Sequence, residues 1–317
     1  MQARLFLRLL TSPSASTRAY IIAVLLLLTL SVFPQYQLQW PGIRCKEGGE
    51  RQSPIDISTS HVVKDFNELF IKYGPLKFSG YQKVLVTGLN NGHTIQFSTE
   101  GDESIHPTLT GGPLKHVYRL EQLHFHWVSE HSLNGFKYPM EIHLVHVRSD
   151  LTVMKALGKK DGLAIVAVFC HVEAELDDYL QEASEEIMQY IPRLLVSGQR
   201  ISGILLDLTK LLGPNMKTYY TYAGSLTSPE CNEAVIWIIF DRPIFLSDEQ
   251  YRLFSKVGSE RYNFRSLQKL SERSVYTPPR HEAEVPQFVS FVGTLAKVFI
   301  HFFKNVTSFL QKGLRSR

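Results

Sequence analysis

Apolar and polar positions alternate, or give way to β-branched and aromatic runs, over Lys83–Leu89, Thr94–Ser98, Val117–Trp127, Met140–Val147, Leu163–Val172 and Ala234–Phe240. Turn signals separate these runs, among them Asn90-Asn91-Gly92, Thr110-Gly111-Gly112-Pro113 and Asn134-Gly135. Helical periodicity is confined to Ala174–Tyr190, Asp248–Lys256 and the tail. No internal repeat or low-complexity linker interrupts the chain. The pattern predicts a mainly β domain with a few peripheral helices.

The 317 residues, 44% of them hydrophobic, suit one large globular domain with appendages. The formal charge of +4 is misleading because of where it sits. Residues 1–44 hold four arginines and no acid, and the chain after Glu284 holds five bases and no acid. Between them 25 of the 34 bases face all 30 acids, a net of −5. No nucleic-acid face is implied, and the terminal charge points to membrane or targeting roles.

Arg4, Arg8 and Arg18 precede an apolar run of fifteen residues, Ala19–Phe33, so residues 1–35 read as a signal peptide or an uncleaved signal anchor. Fifteen residues is short for a membrane span. Residues 1–18, rich in Arg and Ser, leave a mitochondrial transit peptide as the alternative. Of three cysteines, Cys45 and Cys231 lie in loops, while Cys170 ends an apolar run and reads as buried. A Cys45–Cys231 disulfide with a free Cys170 is the economical assignment, and it requires an oxidising compartment. The secretory route is therefore preferred, extracellular or lumenal.

The candidate chemistry lies in Leu123-His124-Phe125-His126-Trp127 and Glu141-Ile142-His143-Leu144-Val145-His146. On a strand, alternate side chains share a face, so His124 and His126 point together, as do Glu141 and His143. A lone His-x-His pair is more often two satisfied histidines than a metal site. Here a second histidine run follows, with a carboxylate two residues before its own His143. Three histidines with a fourth position open are the donor set of catalytic zinc. Metal-bound imidazoles donate their other N–H to an oxygen, and Gln122 and Glu141 stand ready for His124 and His143.

The segment from Trp40 to about Leu270 resembles the α-class carbonic anhydrases of animals, in a secreted or membrane-associated form. The resemblance rests on Gln52-Ser53-Pro54-Ile55-Asp56-Ile57, Asn90-Asn91-Gly92-His93, Gly111-Gly112-Pro113-Leu114, Gln122 through Trp127, Ser129-Glu130-His131, Glu141 through His146, Gly224 through Pro229, and Asn263-Phe264-Arg265. It implies a large, twisted, mostly antiparallel sheet over residues 36–274, with zinc at the base of a conical cleft. The implied reaction is the reversible hydration of CO2 to bicarbonate and a proton by zinc-bound hydroxide. His124, His126 and His143 become the zinc ligands, and His146, on the opposite face, becomes structural.

The resemblance also assigns roles to residues that alone would read as loop or surface groups. Glu130 and Thr227 form an orienting pair, with the Thr227 hydroxyl donating to Glu130. His93 becomes the proton shuttle, bridged to the metal by waters that Asn91 and Gln96 help to hold. Val145, Ile165, Leu226 and Trp237 supply an apolar wall for CO2, and Ser228 stands beside Thr227 at the substrate.

Some features depart from the family pattern. The loop between Trp127 and Glu130 is short. The aromatic cluster before Trp40 is missing, and Ser266 follows Arg265 in place of Pro. The tail, 275–317, lies beyond the resemblance. There Phe288, Val292, Leu295, Phe299, Phe302, Val306 and Phe309 form one stripe of an amphipathic helix opposite lysines. It suits an anionic membrane surface, with a partner or second subunit as the rival. The alternative from another class is a non-catalytic carbonic-anhydrase-like binding domain.

Overall fold

The computed structural model describes residues 45, 49–64, 74–173, 184–212, 217–254, 256–257 and 263–278. The N-terminal apolar run, the amphipathic stretch of the tail and the first part of the expected helix Ala174–Tyr190 lie outside them. No described helix is long and apolar enough to cross a membrane.

In chain order the strands are β1 (Asp56–Ile57), β2 (Lys77–Ser79), β3 (Val84–Asn90), β4 (Ile95–Thr99), β5 (Thr108–Gly111), β6 (Leu114–Trp127), β7 (Ser132–Leu133), β8 (Met140–Arg148), β9 (Leu163–Glu173), β10 (Arg200–Leu206), β11 (Tyr219–Gly224), β12 (Val235–Phe240) and β13 (Ile244–Ser247). Eleven form one sheet in which β10-β3-β4-β6-β8-β9-β12-β11 are successive neighbours, and β1 pairs with β7 apart from it. Most pairings are antiparallel, but β12 and β13 both run parallel to β9. The mainly β expectation holds, and all six expected strands form within about three residues of their expected ends.

Helices are short and peripheral. The expected Asp248–Lys256 helix forms as Asp248–Phe254, and 184–188 is helical within the expected Ala174–Tyr190. Two four-residue helices, Val153–Ala156 and Thr209–Leu212, correct the expectation that helical periodicity was confined elsewhere. A single turn is too short to show a period.

The sheet has two apolar faces, as its central strands require. Leu123, Phe125, Ile142 and Leu144 pack on one side with Phe254 of the Asp248–Phe254 helix. On the other side Val145, Val147, Ile165 and Trp237 join Ile55 and Ile57. Burying these side chains contributes roughly 1.5–3 kcal/mol each before chain entropy is charged against it. β8 is buried along its length except at Arg148, so its polar residues all face neighbours that must satisfy them. Those polar residues build the site.

Candidate metal centre and active-site cavity

Pairing register brings the three histidines together. β6 and β8 are antiparallel with His124 opposite His143 and His126 opposite Glu141, so all four side chains face the second side of the sheet. The Nε2 atoms of His124 and His126 stand 3.1 Å apart. One nitrogen from each of the three rings lies within 4.8 Å of the others.

The opposite nitrogen of each ring has its own acceptor. His124 Nδ1–H donates to Gln122 Oε1 at 2.9 Å, His126 Nδ1–H to the Asn263 carbonyl at 2.7 Å, and His143 Nε2–H to Glu141 Oε1 at 2.7 Å. These bonds fix the tautomers and leave three lone pairs converging on one point. Two lone pairs 3.1 Å apart repel unless a cation lies between them. The spacing is close to the about 3.3 Å that separates two nitrogens on a tetrahedral zinc. The donor set of three imidazoles therefore fits zinc.

Burial disfavours the charged form of two of the donors. Burial, with the neighbouring His126 and His143 rings, holds the His124 imidazole well below its ordinary pKa, and burial lowers His126 too. Burial alone would raise the Glu141 carboxyl, but attraction to His131 and His143 and their hydrogen bonds outweigh it and hold it well below the usual carboxylate range.

The supports extend further than the sequence reading reached. Glu141 also accepts from the backbone N–H of His131 at 2.8 Å and from its Nδ1–H at 2.7 Å. His131 Nε2 lies 2.8 Å from the Tyr222 hydroxyl, which donates to Ser53 Oγ. His131, Tyr222 and Ser53 thus brace Glu141 from behind, all buried. Asn263 accepts from Trp127 N–H and donates to the carbonyls of His93 and Phe125 while its own carbonyl holds His126. The motifs containing His131 and Asn263 were visible in the sequence, but their partners lie elsewhere in the chain, up to 170 residues away.

The histidines floor a cavity of about 480 Å³. Of the expected wall residues, Val145, Ile165 and Leu226 line it, as do Thr227, Ser228, Glu130, Asn91, Gln96 and His93. Trp237 is a correction. It is fully buried, its indole N–H donates to the Ser225 carbonyl, and its rings pack against His131 and His143. It backs the wall instead of lining it. His93 is exposed at the cavity, at the end of the Asn90-Asn91-Gly92 turn. Asn91 Oδ1 accepts from His93 N–H and Thr94 N–H and so sets that turn. His146 points to the opposite face, where the Tyr81 hydroxyl contacts its Nε2 at 2.6 Å and its Nδ1–H donates to Ala164 O, as a structural residue should.

Glu130 is 1% exposed, and its Oε1 accepts from Arg265 N–H at 2.8 Å. Its Oε2 is buried without a hydrogen-bond partner, 3.4 Å from His126 Nε2. The expected bond from Thr227 to Glu130 is thus not formed here, although both side chains line one cavity.

Comparison with known proteins agrees with this architecture. Residues 35–279 match the family model for eukaryotic-type carbonic anhydrase. The chain is 34% identical over 249 residues to carbonic anhydrase 1 of Oryctolagus cuniculus, covering 75% of this chain and 95% of that protein. It is 34% identical over 246 residues to carbonic anhydrase 7 of Homo sapiens, covering 72% and 88%. This chain belongs to the eukaryotic-type carbonic anhydrase family.

Proposed function

We propose that the chain is an active zinc-dependent carbonate dehydratase that interconverts CO2 and bicarbonate. The observation that carries this reading is the convergence of His124 Nε2, His126 Nε2 and His143 Nδ1 with every opposite nitrogen already committed. These three nitrogens would hold the metal. When bound, zinc supplies a Lewis acid that makes hydroxide available near neutral pH.

The chain's own residues do the rest. Val145, Ile165 and Leu226 offer a small, nonpolar substrate an apolar surface that competes well with water. Arg265 N–H holds Glu130 by one oxygen and leaves Oε2 to accept the Thr227 hydroxyl proton. A Thr227 hydroxyl used in that way as a donor turns a lone pair toward the cavity and orients the attacking solvent oxygen. Ser228 adds a second hydroxyl at the substrate. His93 takes up the proton that each hydration releases, through water, and hands it to buffer.

The Cys45–Cys231 disulfide supports an oxidising compartment, extracellular or lumenal. The N-terminal apolar run and the amphipathic tail would attach the domain to a membrane. Metal analysis of the purified chain together with a stopped-flow CO2-hydration assay tests the reading. One zinc per chain with turnover is expected. Tightly held zinc without turnover would favour a binding domain, and no zinc would leave a scaffold.

A further inference from the structure

Glu130 is anchored at one oxygen only. Its Oε1 accepts from Arg265 N–H at 2.8 Å, and its Oε2 is buried without a hydrogen-bond partner. A carboxyl held by one bond can still swing about it, so its aim depends on the backbone beneath it and on the backbone of its donor. One side chain bears on both. Lys137 Nζ donates to the carbonyl of Ser129 at 2.6 Å and to the carbonyl of Glu130 itself at 2.9 Å. The same ammonium lies 4.6 Å from the centre of the Phe264 ring, inside the range of a cation–π contact. Phe264 stands between Asn263, whose carbonyl holds His126, and Arg265, whose N–H holds Glu130.

The chain around Lys137 keeps the ammonium in that position. Ser129 N–H donates to the Tyr138 carbonyl and Tyr138 N–H donates to Ser129 Oγ, both at 2.9 Å, so residues 137–138 run alongside 129–130. Ser129, Glu130 and Tyr138 are buried, and Lys137 is half-buried, its stem covered and its charge turned inward onto the two carbonyls. Burial lowers the Lys137 pKa, and attraction to Glu141 and Glu130 opposes that shift, so the two buried carboxylates of the site are the charges this ammonium feels.

We propose that Lys137 is a positioning residue: by clamping the carbonyls of residues 129 and 130 to Phe264, it sets the aim of the Glu130 carboxyl and so of the Thr227 hydroxyl that Glu130 receives. A neutral replacement leaves the ligand histidines on β6 and β8 in place and lets the carboxyl swing. The consequence for turnover rests on the hydratase reading, but the placement of Glu130 does not.

The test uses the full chain supplied with zinc. Lys137→Met keeps an apolar stem and removes the charge and its donors. Amide hydrogen exchange should then quicken about ten-fold at Arg265 N–H, with the amides of β6 and β8 and the zinc content unchanged. In CO2 hydration kcat should fall about ten-fold at an unchanged KM, because Val145, Ile165 and Leu226 still receive the substrate. Lys137→Arg, which restores a charged donor able to lie on the Phe264 ring, should recover most of both losses. In a Glu130→Gln background Lys137→Met should cost little more, since it acts through that carboxyl. Unchanged exchange at Arg265, or an equal fold-loss of kcat in both backgrounds, would overturn the proposal and leave Lys137 a tie within its own loop. A wild-type chain without turnover would instead defeat the hydratase reading, and the exchange measurement alone would then decide on Lys137.

Discussion

Glu141 accepts from two imidazoles at once, His131 and His143, and from a backbone N–H, so each of its lone pairs has work that an amide cannot share. In Glu141→Gln the new NH2 faces the His131 backbone N–H or, flipped, both imidazole N–H groups, donor against donor either way, and His143 loses the charged acceptor that sets its tautomer. Zinc affinity should fall by about 10–100-fold, read by competition with a chelator, with the sheet otherwise intact by circular dichroism. His93 predicts the opposite signature, because it stands outside the donor set. His93→Ala should keep its zinc and lose CO2 hydration in weak buffer by up to about a hundredfold, and added imidazole should restore it. A His93→Ala chain unaffected in weak buffer would remove His93 from the reaction.

At the scale of strands, the sequence made the centre legible and the edges obscure. β6, β8 and β9 announce themselves through alternation or long β-branched runs, and two-residue periodicity alone separates His146 from the metal-facing histidines. β10 and β11 were missed for different reasons. Arg200–Leu206 carries Gly203 and a register shift between Ile201 and Ile204, and Tyr219–Gly224 is buried on both faces, so neither alternates. β2, β5 and β13 are three or four residues long, too short for any period. Against β8 the register of β6 shifts between Leu120 and Gln122, leaving Glu121 as an extra residue, and this bulge was invisible because nothing local distinguishes it from regular strand.

On the far face of β8, burial holds the His146 imidazole down to about 4 from an ordinary 6.5. The unfolded ring therefore binds its proton first as pH falls. Stability should decline as pH drops through about 6.5 and stop declining for this group below about 4, a loss of about 3 kcal/mol in all. His146→Gln keeps an acceptor for Tyr81 and a donor for Ala164 O but cannot titrate. Urea unfolding across that pH range should show a flatter profile for the variant than for wild type.

Across the whole molecule, Cys45 and residues 49–54 act as a strap over the end of the second core. Cys45 is bonded to Cys231, Arg51 and Gln52 bond Glu233, Ser53 bonds Ser225, and the Arg265 guanidinium holds Gln52 and Ser53. The close approach requires Gly224, where a Cβ would stand 2.2 Å from Ser53 Oγ. Arg265 then reaches Glu130 through its own N–H, so the strap touches the cavity by way of Glu130 and the 226–228 wall, while the three histidines all stand on β6 and β8. The disulfide spans 186 residues, and opening it releases that loop in the unfolded chain. Cys45→Ser with Cys231→Ser should cost about 2–5 kcal/mol in denaturant unfolding. Because the strap contributes no ligand, the same variant should still hold one zinc below its lowered melting temperature, and any loss of activity there should come from the Glu130 side of the cavity. Zinc lost together with the disulfide, in a chain still folded by circular dichroism, would mean that the strap and the metal centre form one cooperative unit and that the sheet alone does not set the ligand geometry.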